Sequence, residues 1–282
     1  MQEKFEAPDS PRTAVLWMLF GSFCFGSMNA IVKWTSEHAD VWMIIMVRSA
    51  VIAFAVAAFA ASRGISLKVN NRRIMFLRCA VGLTAMVLYF TALARISIGQ
   101  AVTLQYTAPL FVALLSGKVL AEKVSAGVSL LVITAFTGII LIVSPDLGTV
   151  EPDALIALGS GFFAALAYMY VRELRTTDSP TSVVFWFAIA SVAGSIVQAA
   201  PDLFSLDTKT LAALVGIGIG AGGGQVGITM AYQSANAAWV SAFSYFTVIV
   251  AVFYGFIIFG ETLSIADWVG GLLIVGSGVA LV

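Results

Sequence analysis

Two arginines stand where a charge is hard to keep. Arg48 and Arg78 lie inside long apolar runs of a 282-residue chain that is 60% hydrophobic and only 11% charged. A guanidinium is planar, permanently charged and carries its donors in a fixed fork, which suits it to a carboxylate or phosphate. At a bilayer centre an ionised side chain costs about 2.5–3.5 kcal/mol on insertion scales, so each arginine needs a reason to be there. For Arg78 the competing explanation is snorkelling back to the nearer headgroups. For Arg48 it is hydrogen bonding to the carbonyls of a broken helix. All 15 Asp and Glu fall in tails, loops or first turns of the runs, Asp267 being the most deeply placed. A titratable acid on the path, usual in proton-coupled carriers, is therefore not expected.

The same runs hold neutral polar side chains. Asn29, Gln105 and Gln225 are expected to point inward, because an amide facing lipid is unfavourable. Ser27, Tyr89, Tyr106, Tyr168, Ser244 and Tyr245 are equally explained by helix–helix hydrogen bonds. The candidate substrate-binding set is Asn29, Arg48, Arg78, Tyr89, Gln105, Tyr106, Gln225, Ser244 and Tyr245. Pro109 removes a backbone donor and frees a carbonyl near Gln105, a candidate hinge or ligand contact. One histidine, His38, and two cysteines, Cys24 and Cys79, make no metal or disulfide framework, so no metal and no cofactor are expected. Gly218 to Gly223 satisfies G-x-G-x-x-G, but that fingerprint needs a preceding strand in a βαβ unit, and here it lies mid-run. Gly216, Gly220 and Gly224 instead share one helical face and allow close backbone approach. Enzymatic chemistry, with no catalytic cluster to support it, is not expected.

The elements that must position these residues follow from composition. Charges balance at 15 against 15, and the mean hydropathy is +0.98. So few charges cannot cover a water-soluble globule of this size, so the partner of most of the surface is the lipid bilayer. Zero net charge removes any broad pull toward nucleic acid. Breaks at charge, Pro, Gly and Asn clusters predict ten helices at 13–34, 40–61, 73–94, 98–118, 125–144, 153–171, 181–199, 210–234, 237–259 and 264–281. The first run is too long for a signal-peptide core. With residues 1–12 as a cytoplasmic tail, the cytoplasmic side holds Lys4, Arg12, Arg63, Lys68, Arg72, Arg73, Lys118, Lys123, Arg172 and Arg175. The far side holds only Lys33, Arg95 and Lys209. That asymmetry places both termini inside, in a cytoplasmic (inner) membrane.

The halves, 13–144 and 153–282, superpose at a shift near 139 residues. Tyr106 then meets Tyr245, Glu122 meets Glu261, and Ser125 meets Ser264; at 138, Gly21-Ser22 meets Gly159-Ser160. Five helices per half is an odd number, so the repeats are expected to be inverted, an architecture of carriers that rock around a central site. The fold class expected is an all-α membrane protein of ten transmembrane helices in two inverted five-helix repeats.

The stretch Tyr89-Phe90-Thr91-Ala92-Leu93 to Gln100-Ala101, with Pro109-Leu110-Phe111 and Leu120 to Ser125, resembles the drug/metabolite transporter superfamily, EamA type. Phe259-Gly260-Glu261-Thr262-Leu263-Ser264 with Gly270-Gly271 is its second-half partner. Arg78-Cys79-Ala80-Val81-Gly82 and Gly224 to Thr229 are similar to the S-adenosylmethionine-uptake group. The resemblance covers essentially residues 13–282. It implies a ten-helix carrier with a cavity between its halves, and a gating role for Lys33, which otherwise reads as an interfacial anchor. Small multidrug members of the superfamily depend on a Glu in the first helix, which this chain lacks; facilitated exchange, uniport or coupling through the substrate's charge follows. Glu122 and Glu261 read as structural, capping or pairing near the next helix start. The function expected is a carrier for a small organic metabolite with an anionic group: an amino acid, organic acid or S-adenosylmethionine-like zwitterion. The alternative is an exporter of hydrophobic or cationic drug-like compounds. The partners expected are that small molecule and the bilayer, without nucleic acid, in a monomer or homodimer.

Overall fold

The protein was analysed as a computed structural model, which describes residues 11–108, 110–111, 115, 126–143, 151–174, 177–202, 206–234 and 242–280. Pro109, Glu122 and Ser125 lie outside the described residues. Within them the regular elements are helical: α1 (Pro11–Thr35), α2 (Val41–Arg63), α3 (Arg72–Arg95), α4 (Ile98–Gln105), α5 (Ala126–Val143), α6 (Pro152–Leu174), α7 (Pro180–Ala199), α8 (Thr208–Ser234), α9 (Phe246–Phe259) and α10 (Ile265–Ala280). Short 3₁₀ turns follow α7 and precede α9. α1, α2, α3, α6, α7 and α8 each contain a stretch long and apolar enough to cross a membrane, while α5, α9 and α10 contain shorter apolar stretches.

Local chemistry starts and stops these helices where the loops must turn. Asp40 accepts from the Trp42 amide at 2.8 Å to open α2, and Gly64, at φ 64°, closes it in a left-handed cap that an L side chain would strain. Asn71 and Ser179 cap α3 and α7 in the same way as Asp40.

Contacts at the two ends fix how the halves lie. At one end Lys33 donates to the Ile96 carbonyl, Arg95 pairs with Asp153, and the Gln100 amide donates to Asp267. The ends of α1 and α3 therefore meet the starts of α4, α6 and α10. At the other end Asp178 accepts from the Asn70 and Asn71 amides, and Trp186 Nε1 donates to the Leu67 carbonyl. There the end of α2 and start of α3 meet the end of α6 and start of α7. α1 and α6, which correspond in the repeat, consequently run in opposite directions.

The packing obeys the same exchange. The principal contacts are α1 with α8 and α3 with α6, which swap under the repeat. α2 with α7 and α5 with α10 are each paired across it. Glycines of α8 make close joints, as do Gly138 and Gly270 between α5 and α10. A Cβ at Gly224 would sit 2.7 Å from the Phe25 ring, and one at Gly227 2.6 Å from Gly21. Within the dinucleotide-like stretch a Cβ at Gly218 would sit 2.6 Å from Val51 and one at Gly223 3.1 Å from Cys24, so these glycines serve helix packing.

One span departs from the pattern. The fourth was expected to run unbroken to 118, but α4 ends at Gln105 and a turn at Tyr106–Thr107 interrupts the run, residues 108, 110, 111 and 115 being helical again. There the Thr107 amide bonds to the Leu104 carbonyl at 3.2 Å, three residues back instead of four. The equivalent place in the second half is the 3₁₀ turn Ala242–Tyr245 before α9.

Candidate functional site

Both helix breaks carry a tyrosine, and the fold brings the two together. Tyr106 and Tyr245 have ring centroids 5.8 Å apart, and the Tyr106 hydroxyl is 2.8 Å from Thr247 Oγ1. The hydroxyl of Tyr245 is buried with no hydrogen-bond partner among the described residues. Beside the breaks the repeat is visible in hydrogen bonds. Ser160 on α6 donates to Gln105 Oε1, and its counterpart Ser22 on α1 lies 3.5 Å from the carbonyl oxygen of Ser244. Gln105 is thus spent on a helix–helix contact, and Ser244 offers its backbone there.

Asn29, buried on α1, lies beside Tyr89 on α3, and its Oδ1 has no partner among the described residues. Tyr89 is itself buried within electrostatic reach of Tyr106 and Tyr168. Tyr168 on α6 is 54% exposed and lies within electrostatic reach of Arg78.

Arg48 and Arg78 are each only partly accessible. Arg48 Nη1 lies 3.2 Å from the Met86 sulfur, a weak acceptor, and its guanidinium is 5.9 Å from the centre of the Phe90 ring. Its Nε is buried and unpartnered among the described residues. Arg78 lies 4.1 Å above the Phe187 ring, with Nε and Nη1 likewise buried and unpartnered. A Cβ at Gly82 would collide with Arg78 Nη1, so the guanidinium occupies the space that this glycine leaves empty.

That placement answers the snorkelling alternative. α3 begins at the Asp178 end of the bundle, and Gly82 is a turn further on from Arg78. The Arg78 side chain reaches along α3 away from the nearer helix end, deeper into the apolar layer. The cation–π contact, worth about 2 kcal/mol when desolvated, offsets part of the cost.

Gln225 departs from its expectation. It is exposed on α8 rather than enclosed, although it does make an interaction. Sequence reasoning also missed Met86, Phe90, Phe187 and Thr247, whose types carry no signal. For Phe187 the repeat offered one, since it is the 139-shift counterpart of Arg48.

Lys33 is neither an exposed anchor nor free. Its Nζ lies 2.7 Å from Glu261 Oε1, both side chains being largely shielded, and 2.6 Å from the Ile96 carbonyl. Glu261 Oε2 accepts from the Ile98 amide at 2.9 Å. The carboxylate therefore caps a helix start in the other half, not the next helix of its own. Gly260, at φ 63°, turns the chain back after α9, and the missing Cβ of Gly255 leaves room for the Glu261 carboxylate. This cluster ties α1 and the α3–α4 junction to the α9–α10 junction. Alongside it, Gly99, Val252, Phe253, Phe256, Leu263 and Trp268 help to line a lateral apolar groove of about 500 Å³. Its Ile249, Phe253 and Phe256 are largely exposed, so it opens sideways and is separate from the arginines.

Comparison with known proteins agrees with this architecture. The sequence model of the EamA-like transporter family matches residues 12–144 and again 153–282. The chain is 27% identical to the pseudopaline exporter CntI of Pseudomonas aeruginosa (strain UCBPP-PA14) over 97% of each. It is 27% identical to a riboflavin transporter of Vibrio cholerae, covering 94% of this chain and 91% of that one. A solved crystal structure shares the fold with a TM-score of 0.66, at 20% identity over 96% of this chain and 97% of the other.

Proposed function

The chain belongs to the EamA-like transporter family, and from that premise we propose that it carries a small organic metabolite with an anionic group across the cytoplasmic membrane by alternating access. Both termini face the cytoplasm in this reading, and the two antiparallel repeats rock about the tyrosine-bearing helix breaks. Candidate substrates are an amino acid, an organic acid, or an S-adenosylmethionine-like zwitterion whose apolar or cationic part the tyrosines cup.

One observation carries the choice of charge. The Arg48 guanidinium has a thioether and an aromatic ring beside it, is partly accessible, and has Nε unpartnered among the described residues. A cation in an apolar layer with a buried donor unpartnered is costly unless something negative occupies the adjoining space. The anion that neutralises it is the transported group.

A thermal-shift screen of purified protein against amino acids, di- and tricarboxylates, nucleosides and S-adenosylmethionine tests this. A ligand that binds the folded state raises the melting temperature by mass action. An acidic compound is expected to do so in the parent protein and to lose its effect in Arg48→Ala. Stabilisation by hydrophobic amines that survives Arg48→Ala would instead select the alternative, a drug-like cation exporter. The aromatic walls of Tyr89, Phe90, Tyr106 and Tyr245 are what favour that second reading.

A further inference from the structure

We propose that Arg48 and Arg78 form a single site for a ligand with two anionic groups, with Gly82 setting the spacing between them. This rests on the anionic-ligand reading above and narrows it from one acidic group to two.

The geometry comes from α3. Arg48 places Nη1 against Met86, and Arg78 places Nη1 against the vacant Cβ position of Gly82. Positions 82 and 86 are four apart, so they lie on one face of the helix, about 6 Å from each other along its axis. α3 has 24 residues, and its midpoint falls between these two positions. Each guanidinium thus meets a position on the same face of α3, one coming from a neighbouring helix and one from the helix itself. They straddle the middle of the apolar layer.

Nothing within the described residues reconciles the two charges. Neither has a carboxylate partner there; the ion pairs recorded are Lys33–Glu261 and Arg95–Asp153, both near a helix end. Arg78 had an escape to the nearer interface and does not take it. The ring of Phe187 and the absence of a side chain at Gly82 hold it inward. Both guanidiniums keep unpartnered buried nitrogens, and Tyr168, 54% exposed, lies within electrostatic reach of Arg78. A single carboxylate answers one guanidinium and leaves the other unpaired. Two carboxylates, or a carboxylate and a phosphate, at matching separation answer both with charge-assisted hydrogen bonds.

The test uses the full-length purified protein and a homologous series of linear dicarboxylates from oxalate to suberate, each beside the monocarboxylate of equal chain length. Binding is read by calorimetry or thermal shift. The expected result is an affinity that peaks near adipate and exceeds that of the matched monoacid at least about tenfold. Arg78→Met, which keeps the volume and removes the charge, is expected to collapse that ratio toward one. Gly82→Ala, which displaces Arg78, is expected to move or flatten the length optimum. Melting temperatures of the ligand-free variants show whether each is folded, and the length series in the parent protein stands regardless. Equal affinity for mono- and diacids in the parent protein, or an unchanged ratio in folded Arg78→Met, overturns the pairing and leaves the single-anion reading in place. Failure of the parent protein to bind any acid of either series overturns both.

Discussion

Glu261→Gln isolates the ion pair that ties the two halves together at one end. The replacement keeps an oxygen able to accept the Ile98 amide, which the carboxylate now takes at 2.9 Å, and removes only the charge facing Lys33 at 2.7 Å. An exposed pair of this kind contributes about 0–1 kcal/mol, whereas breaking a fully buried one costs about 3–5 kcal/mol. With the two side chains 16% and 15% exposed, an intermediate value of about 2 kcal/mol is expected. If the tie exists only while this end is closed, the loss shifts the equilibrium toward the open state about 30-fold. Ile98, fully buried at the junction, is the reporter. An Ile98→Cys protein lacking Cys24 and Cys79 is labelled in intact cells with a membrane-impermeant maleimide, with and without Glu261→Gln. The labelling rate is expected to rise by an order of magnitude or more. A pairwise apolar replacement, Lys33→Met with Glu261→Leu, leaves no orphaned charge and is expected to open the end less than Glu261→Gln. An unchanged rate in Glu261→Gln, with melting temperature also unchanged, would refute the view that this pair holds the end shut.

Other outcomes follow from single contacts. Tyr106→Phe removes the hydroxyl that reaches Thr247, leaving the buried threonine without that bond; a loss of about 1 kcal/mol, read as a lower melting temperature, is expected. Arg48→Lys, keeping charge but losing the planar fork, is expected to weaken acidic ligands by about tenfold in the thermal-shift screen. Asp178 gives a pH dependence: burial pushes its carboxyl up, but the Thr177 hydroxyl and the Asn70 and Asn71 amides together hold it below the usual carboxylate range. Its stabilising effect is therefore complete above the unfolded carboxyl value of about 4 and lost as pH falls through the lower folded value. Asp178→Asn is expected to lower the melting temperature at pH 7, with a difference from the parent that shrinks toward pH 3.

Much of the architecture was legible because lipid imposes simple rules. Helices follow from the apolar runs, and an odd number of runs per half predicts the opposite directions in which α1 and α6 lie. The repeat was legible too, and it brought Tyr106 opposite Tyr245 before any coordinates. The end of α4 at Gln105 was less so, because an apolar run reads the same whether its ladder continues or slips to a three-residue step. Gln225 was placed inward on the cost of an amide in lipid, but exposure depends on which neighbour covers that part of α8.

Sequence alone determined that the chain lives in a bilayer, that it is built as two related halves, and that two guanidiniums lie inside it with no acid nearby along the chain. These are properties of composition and periodicity, and each residue states them without its neighbours. Only the tertiary structure decided that Arg78 turns inward onto Phe187, that Gly82 makes the room, and that Arg48 meets the same face of α3 one turn away. Those facts depend on residues far apart in the chain, and on a side chain choosing between two directions that its own helix permits equally. Lys33 and Glu261 make the same point. One looked like an anchor and the other like a local cap, and packing across the halves made them a pair.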